Sequence, residues 1–295
     1  MTIATSGTLR AFARVYALAL TGVLALAAIP STVAGQQPDS TSVVEDRRFV
    51  RPRDLGAIGL GVVASVGLSV FDKRIARWTQ SNGVQGTTVN TPEAREASSR
   101  TKIVRGVTHV NETTLTIAGI AAYGVGRLTH AEAFTDIAKH TTEAVVLTSL
   151  VSQAIRGPLG RTRPYVTRES NQYDFHAGKG FTSFDNRAWP SLHSATAFAA
   201  GAALVGEVGE RHPDALPWAA PLIYAASALP GLSRMYLDQH WATDVLMGGV
   251  IGTVLGSRLV HYAHASPRGA GPRWLVNATI APSVDGRMNI GLSVQ

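Results

Sequence analysis

The sequence contains no cysteine, which excludes disulfides and thiolate metal sites and leaves thiols silent about redox compartment. Charged residues are scarce, at 16% against about 25% in ordinary soluble domains. Neither a dense Lys/Arg tract nor a basic patch interleaved with aromatics is present, so no nucleic-acid partner is expected. No solenoid-period repeat stands out. Hydrophobic residues fill the space instead, at 45% with 29 glycines, a composition suited to membrane-buried or tightly packed helices. The 295 residues suffice for a sizeable core. A formal net charge of +7 suits an anionic substrate or an anionic lipid surface.

Arg10 and Arg14, the uncharged run from Val15 to Ile29 and the small residues ending at Ala34 and Gly35 read as a secretory signal peptide over residues 1–34. That reading places the chain in the cell envelope, at the inner membrane with a periplasm-facing site or in the periplasm. Residues 35–50 read as a disordered spacer, residues 51–265 as the helical catalytic domain and residues 266–295 as a β-hairpin. Leu55 to Phe71 is uncharged and about 26 Å long as a helix, against a hydrocarbon core of about 30 Å. Further apolar runs lie at Thr113–Val125, Phe134–Ile155, Ser194–Val205, Ala215–Ser233 and Val245–Ser257, with a short amphipathic helix near Pro92–Val104. Gly157, Pro158, Gly160 and Pro164 are expected to end the helix that carries Arg156. Tyr165 to Ala188 is a long polar loop of the kind that is more often functional than idle. Pro190 is expected at the first position of the next helix. Gly248, Gly249 and Gly252 favour close helix packing. Alternation over residues 274–284, the Asp285-Gly286 turn and the alternating Met288, Ile290, Leu292 and Val294 predict the terminal hairpin. Its apolar face needs the bundle, lipid or a second copy to pack on, which makes it a candidate surface for self-association. The fold class is therefore all-α, a bundle of about six helices with a short β-hairpin.

Three polar clusters stand out. His240 and Asp244 are four residues apart, one helical turn, so an acid braces an imidazole; Arg234 precedes them by six residues and can aim its fork at an anion before the ring. Such a trio arises more often as a core hydrogen-bond network than as a site. It is joined, however, by Arg156 with Arg163-Pro164, and by Pro190-Ser191-Leu192-His193. Six residues separate Arg156 from Arg163, five separate Arg234 from His240, and three separate His240 from Asp244. This order and spacing resembles the three-part signature of the type 2 phosphatidic acid phosphatase (PAP2) family, which shares its site with vanadium haloperoxidases and bacterial nonspecific acid phosphatases. The chain departs from the signature twice, with Arg156 where the family has lysine and Leu192 where it has glycine.

The resemblance implies that His240 is a nucleophile forming a phosphohistidine, Asp244 fixes its tautomer, and His193 protonates the leaving oxygen and then activates water. Arg156, Arg163, Arg234, Ser191 and Leu192 would bind the phosphate. The residue chemistry agrees, because phosphoryl transfer requires preorganised cationic donors and N–H groups at a helix start, Ser191 included, suit an oxyanion. Neither a cofactor nor a metal is expected, since the clustered arginines repel a dication. The expected function is a metal-independent phosphatase acting on a phosphorylated lipid or small phosphate ester, with a membrane as partner. The rivals are a soluble periplasmic acid phosphatase, a vanadium-dependent haloperoxidase and an inactive envelope scaffold. Arg161 and Arg168 read as solvated loop charges, and His176 as exposed. His109, His130, His140, His212, His261 and His264 read as surface or interface residues, while Glu143 reads equally as the partner of a motif arginine or a helix cap.

Overall fold

The computed structural model describes residues 49–80 and 98–265, and the backbone of residues 277–282 and 288–293. The expected signal peptide and most of the expected spacer lie outside the described residues. Eight helices of nine residues or more are present among them: α1 (Pro52–Leu68), α2 (Asp72–Gln80), α3 (Ser99–Val107), α4 (Glu112–Leu128), α5 (Glu132–Leu159), α6 (Leu192–Arg211), α7 (Leu216–Tyr236) and α8 (Ala242–Ala265). The expected number was about six. α3 overlaps the short amphipathic helix expected near Pro92–Val104, while α2 lies in the polar stretch after Phe71 where no helix was expected. Backbone pairing joins Asn277–Pro282 antiparallel to Met288–Ser293.

Local chemistry sets the helix starts. At α1 the Asp54 carboxylate accepts the Arg51 N–H at 2.8 Å; at α3 the Ser98 hydroxyl accepts from Thr101 N at 3.1 Å; at α4 Asn111 Oδ1 accepts from Thr113 N and Thr114 N. Each satisfies donors that the helix itself leaves open. Pro190 precedes its helix rather than opening it, and Ser191 is the N-cap. The end of α5 corrects another expectation, because the helix runs through Gly157 and Pro158 to Leu159. Pro158 removes only one backbone donor in the last turn. Gly157 serves contact rather than breakage, since a Cβ there would come within 2.4 Å of the Phe181 ring. Gly160 (φ +63°) then caps the helix, its N–H reaching Arg156 O at 3.2 Å.

The centre of the bundle is the pair α6 and α8, with α5 packed on both. α6 presents Ala195, Ala199 and Ala203, and α8 answers with Gly248, Gly252 and Gly256. A Cβ at these three glycines would lie 2.5 Å from Ser191 O, 2.1 Å from Ala195 O and 2.3 Å from Ala199 O. Backbone therefore touches backbone, which places the start of α6, with Ser191 and His193, beside the start of α8, with Asp244.

Three segments are long and apolar enough to cross a membrane: Pro52–Gln80, Pro213–Tyr236 and Ala242–Ala265. The first two are only 17% buried over their apolar windows. Leu60, Val63 and Val66 of α1, Ile117 and Ile120 of α4, and Trp218 and Leu222 of α7 all point outward. His140, expected at the surface or at an interface, is buried within the bundle against Glu207. Glu143 lies 4.0 Å from Lys139, its neighbour one turn away, and not against a motif arginine.

Candidate active site

The site is built where four helix ends meet the segment that follows α5. α5 delivers Arg156 in its last turn; the segment after its cap delivers Arg161 and Arg163. α6 delivers Ser191, Leu192 and His193 at its start. α7 ends at Tyr236, two residues past Arg234, and a short turn with Asp238 at φ +59° leads through Gln239 and His240 into α8.

His240 is 2% exposed and Asp244 wholly buried. His240 Nδ1 donates to Asp244 Oδ2 at 3.3 Å, which leaves Nε2 as the nitrogen with a free lone pair. The same carboxylate oxygen accepts from Trp241 N at 2.8 Å. Asp244 Oδ1 accepts from Arg161 Nη1 at 2.6 Å, and Arg161 Nη2 reaches Asp72 Oδ2 at 2.8 Å. Asp72 also accepts from Thr243 N at 3.0 Å. Arg161, expected in solvent, is thus the buried centre of an Asp72–Arg161–Asp244 chain. Burial would depress its guanidinium, but Asp244 and Asp72 outweigh that and hold it above its ordinary value.

The other arginines are held differently. Arg156 donates through Nε and Nη2 to Arg187 O at 3.1 and 2.6 Å. Arg163 donates to Phe184 O and Gln239 O, each at 3.1 Å, and its guanidinium lies 4.1 Å from the Phe184 ring centroid. Gln239 Oε1 accepts from Arg163 Nη1 at 3.2 Å and Arg234 Nη2 at 3.1 Å. Among the described residues none of the three is ion-paired with a carboxylate. Burial, then Arg187, brings Arg156 down to about 10; burial, then Arg156 and Arg234, brings Arg163 down to about 9. Arg234 Nε and the wholly buried Ser191 Oγ have no hydrogen-bond partner among the described residues. Together these form a cage of uncompensated positive charge with open donors.

Both histidines face this cage. Burial, followed by Arg163, Arg156 and Arg234, pushes His240 well below its ordinary value. Burial and the same three arginines lower His193 to about 3, against a hydrogen bond to the Thr108 backbone that favours its charged form. His240 therefore presents a neutral imidazole at neutral pH. One expected donor is absent: Ser191 N–H is spent on Asp244 O at 2.9 Å. The first-turn N–H groups of Leu192 and His193 have no intrahelical acceptor, while the Leu192 side chain is buried.

The structure places His240, Asp244, His193, Ser191, Leu192, Arg156, Arg163 and Arg234 around this one site. The sequence signature did not reveal Asp72, Arg161, Thr243, Gln239, or the loop carbonyls of Phe184 and Arg187. Arg161, Gln239 and Thr243 lie within two residues of signature positions, but nothing in the local pattern marks them as site residues.

Comparison with known proteins agrees with the geometry. Residues 140–268 match the model of the PAP2 superfamily. A stretch of 69 residues is 38% identical to a lipid A 1-phosphatase of Porphyromonas gingivalis; it covers 23% of this chain but only 15% of that relative. In fold, the chain is similar to the transmembrane PAP2 type phosphatidylglycerolphosphate phosphatase of Bacillus subtilis, with a TM-score of 0.50 and 15% identity, covering 74% of this chain and all of that one.

Proposed function

We propose that the chain is a membrane-bound phosphatase that releases inorganic phosphate from a phosphorylated lipid, its site at the outer face of the inner membrane. The observation that carries the reading is the set of three arginines without counter-carboxylates around a neutral, acid-braced imidazole. An anion with a tetrahedral array of oxygens satisfies Arg156, Arg163, Arg234, Ser191 Oγ and the first-turn N–H groups of α6 at once. His240 Nε2 attacks phosphorus, the P–O ester bond breaks, and His193 gives its proton to the leaving oxygen. Water then loses a proton to His193, attacks the phosphohistidine, and phosphate departs with His240 restored. Asp244 holds the Nδ1 proton throughout. A bound phosphate opposes the field that depresses His193, so the acid becomes protonated in the complex. The outward apolar faces of α1, α4 and α7, and the lipid substrates named for the two relatives, favour a lipid over a soluble ester.

The test is phosphate release from short-chain lipid phosphates and water-soluble esters, with and without chelator. His240→Ala is expected to lower turnover at least about a thousandfold while the protein stays folded; full residual activity refutes the nucleophile. Inhibition by orthovanadate is expected, whereas peroxide-dependent bromination on adding vanadate transfers the site to haloperoxidase chemistry.

A further inference from the structure

The end of the bundle remote from the arginine cage carries a second polar cluster. His140 lies sixteen residues before Arg156 on α5, Glu207 fourteen after His193 on α6, and His264 twenty after Asp244 on α8. At the helical rise these spacings are about 24, 21 and 30 Å, so the cluster takes no part in phosphoryl transfer. His140 Nδ1 and His264 Nε2 approach the same oxygen, Glu207 Oε1, at 2.5 and 3.0 Å. One ligand atom from each of the three residues lies within 4.8 Å of the others. The two rings meet at 75°, edge to face rather than stacked.

From this convergence we propose that His140, Glu207 and His264 bind a first-row divalent metal ion of the zinc class, which clamps α5, α6 and α8 together. Two neutral imidazoles and one carboxylate are a donor set for such an ion, with water completing a tetrahedron. Ligand distances of about 2.0–2.2 Å place tetrahedral donor atoms about 3.3 Å apart, so each nitrogen retreats from Oε1 by less than about 1 Å. The carboxylate is braced as a ligand requires, because Glu207 Oε2 accepts from Arg211 Nε at 3.0 Å. Arg211 does not repel the ion with a full charge, since its Nη2 is paired with Asp136 at 3.3 Å. Glu207 is 1% exposed, whereas the His264 side chain is 29% exposed and opens a way in. The contrast with the cage is one of charge: a carboxylate with a neutralised arginine here, three unneutralised arginines there.

The full chain, purified in detergent and stripped with chelator, is titrated with cobalt(II), which reports four-coordinate geometry by its visible d–d bands. The expected result is saturation at one equivalent per chain, and loss of the bands in His264→Ala, a partly exposed position, and in Glu207→Gln. Zinc(II) is expected to raise Tm by about 5 °C in the parent protein and in neither variant. No saturable band up to about a hundredfold excess, or equal binding in both variants, overturns the proposal. These readouts do not involve phosphate release, so they stand or fall apart from the phosphatase reading.

Discussion

Arg161 and Arg163 are two residues apart in sequence and opposite in electrostatic situation. Arg161 is fully paired with Asp72 and Asp244, while Arg163 is bonded only to carbonyl and amide oxygens. Arg161→Ala leaves two buried carboxylates unpaired, so a loss of about 3–5 kcal/mol is expected in denaturant unfolding. Because Asp244 loses its outer anchor, turnover falls more than KM rises, and Arg161→Lys restores part of it. A pH series probes the histidines. The unfolded chain binds protons near 6.5 that folded His193, lowered to about 3, and folded His240 refuse. The unfolded state therefore holds more protons below that pH, and stability decreases as pH drops from 7 towards 4. Phosphate favours protonated His193, so the Tm increment it gives is expected to grow over the same interval. The His240–Asp244 pair was legible because the two residues touch within one turn. Asp72 was not, because it meets Arg161 across 89 residues of chain, a separation no local pattern encodes.

At the scale of elements, the glycines of α8 decide how closely the two halves of the site approach. A Cβ at Gly252 would meet Ala195 O at 2.1 Å and Ala199 N at 2.8 Å, both backbone atoms that cannot rotate away. Gly252→Ala is expected to cost about 1–3 kcal/mol by overpacking and to separate His193 from His240, reducing turnover. Gly249→Ala is the control, since its Cβ would sit 3.5 Å from the Phe198 ring, an ordinary contact. Circular dichroism melts with phosphate-release assays on both variants check this pair. The long apolar helices announced themselves by composition. The continuation of α5 through Pro158 did not, because a proline in a final turn sacrifices little and the loop packed on Gly157 supports it.

For the whole molecule, the sequence supplied the sparse charge and the apolar runs, and the fold distributes them unequally. α8 is mostly enclosed while α1 and α7 show their apolar sides outward. The expected behaviour is retention in the membrane fraction at high salt and release by detergent, checked by fractionation; release by salt alone removes the embedded arrangement. The loop after Arg163 has a final consequence. Main-chain oxygens of Phe184, Arg187 and Gln239 already steer the forks of Arg156 and Arg163, so the grip is a rigid mould rather than an adjustable hand. Competing anions should then be sorted by outline more than by charge: vanadate, molybdate and sulfate occupying the mould in preference to flat carboxylates or nitrate of equal concentration.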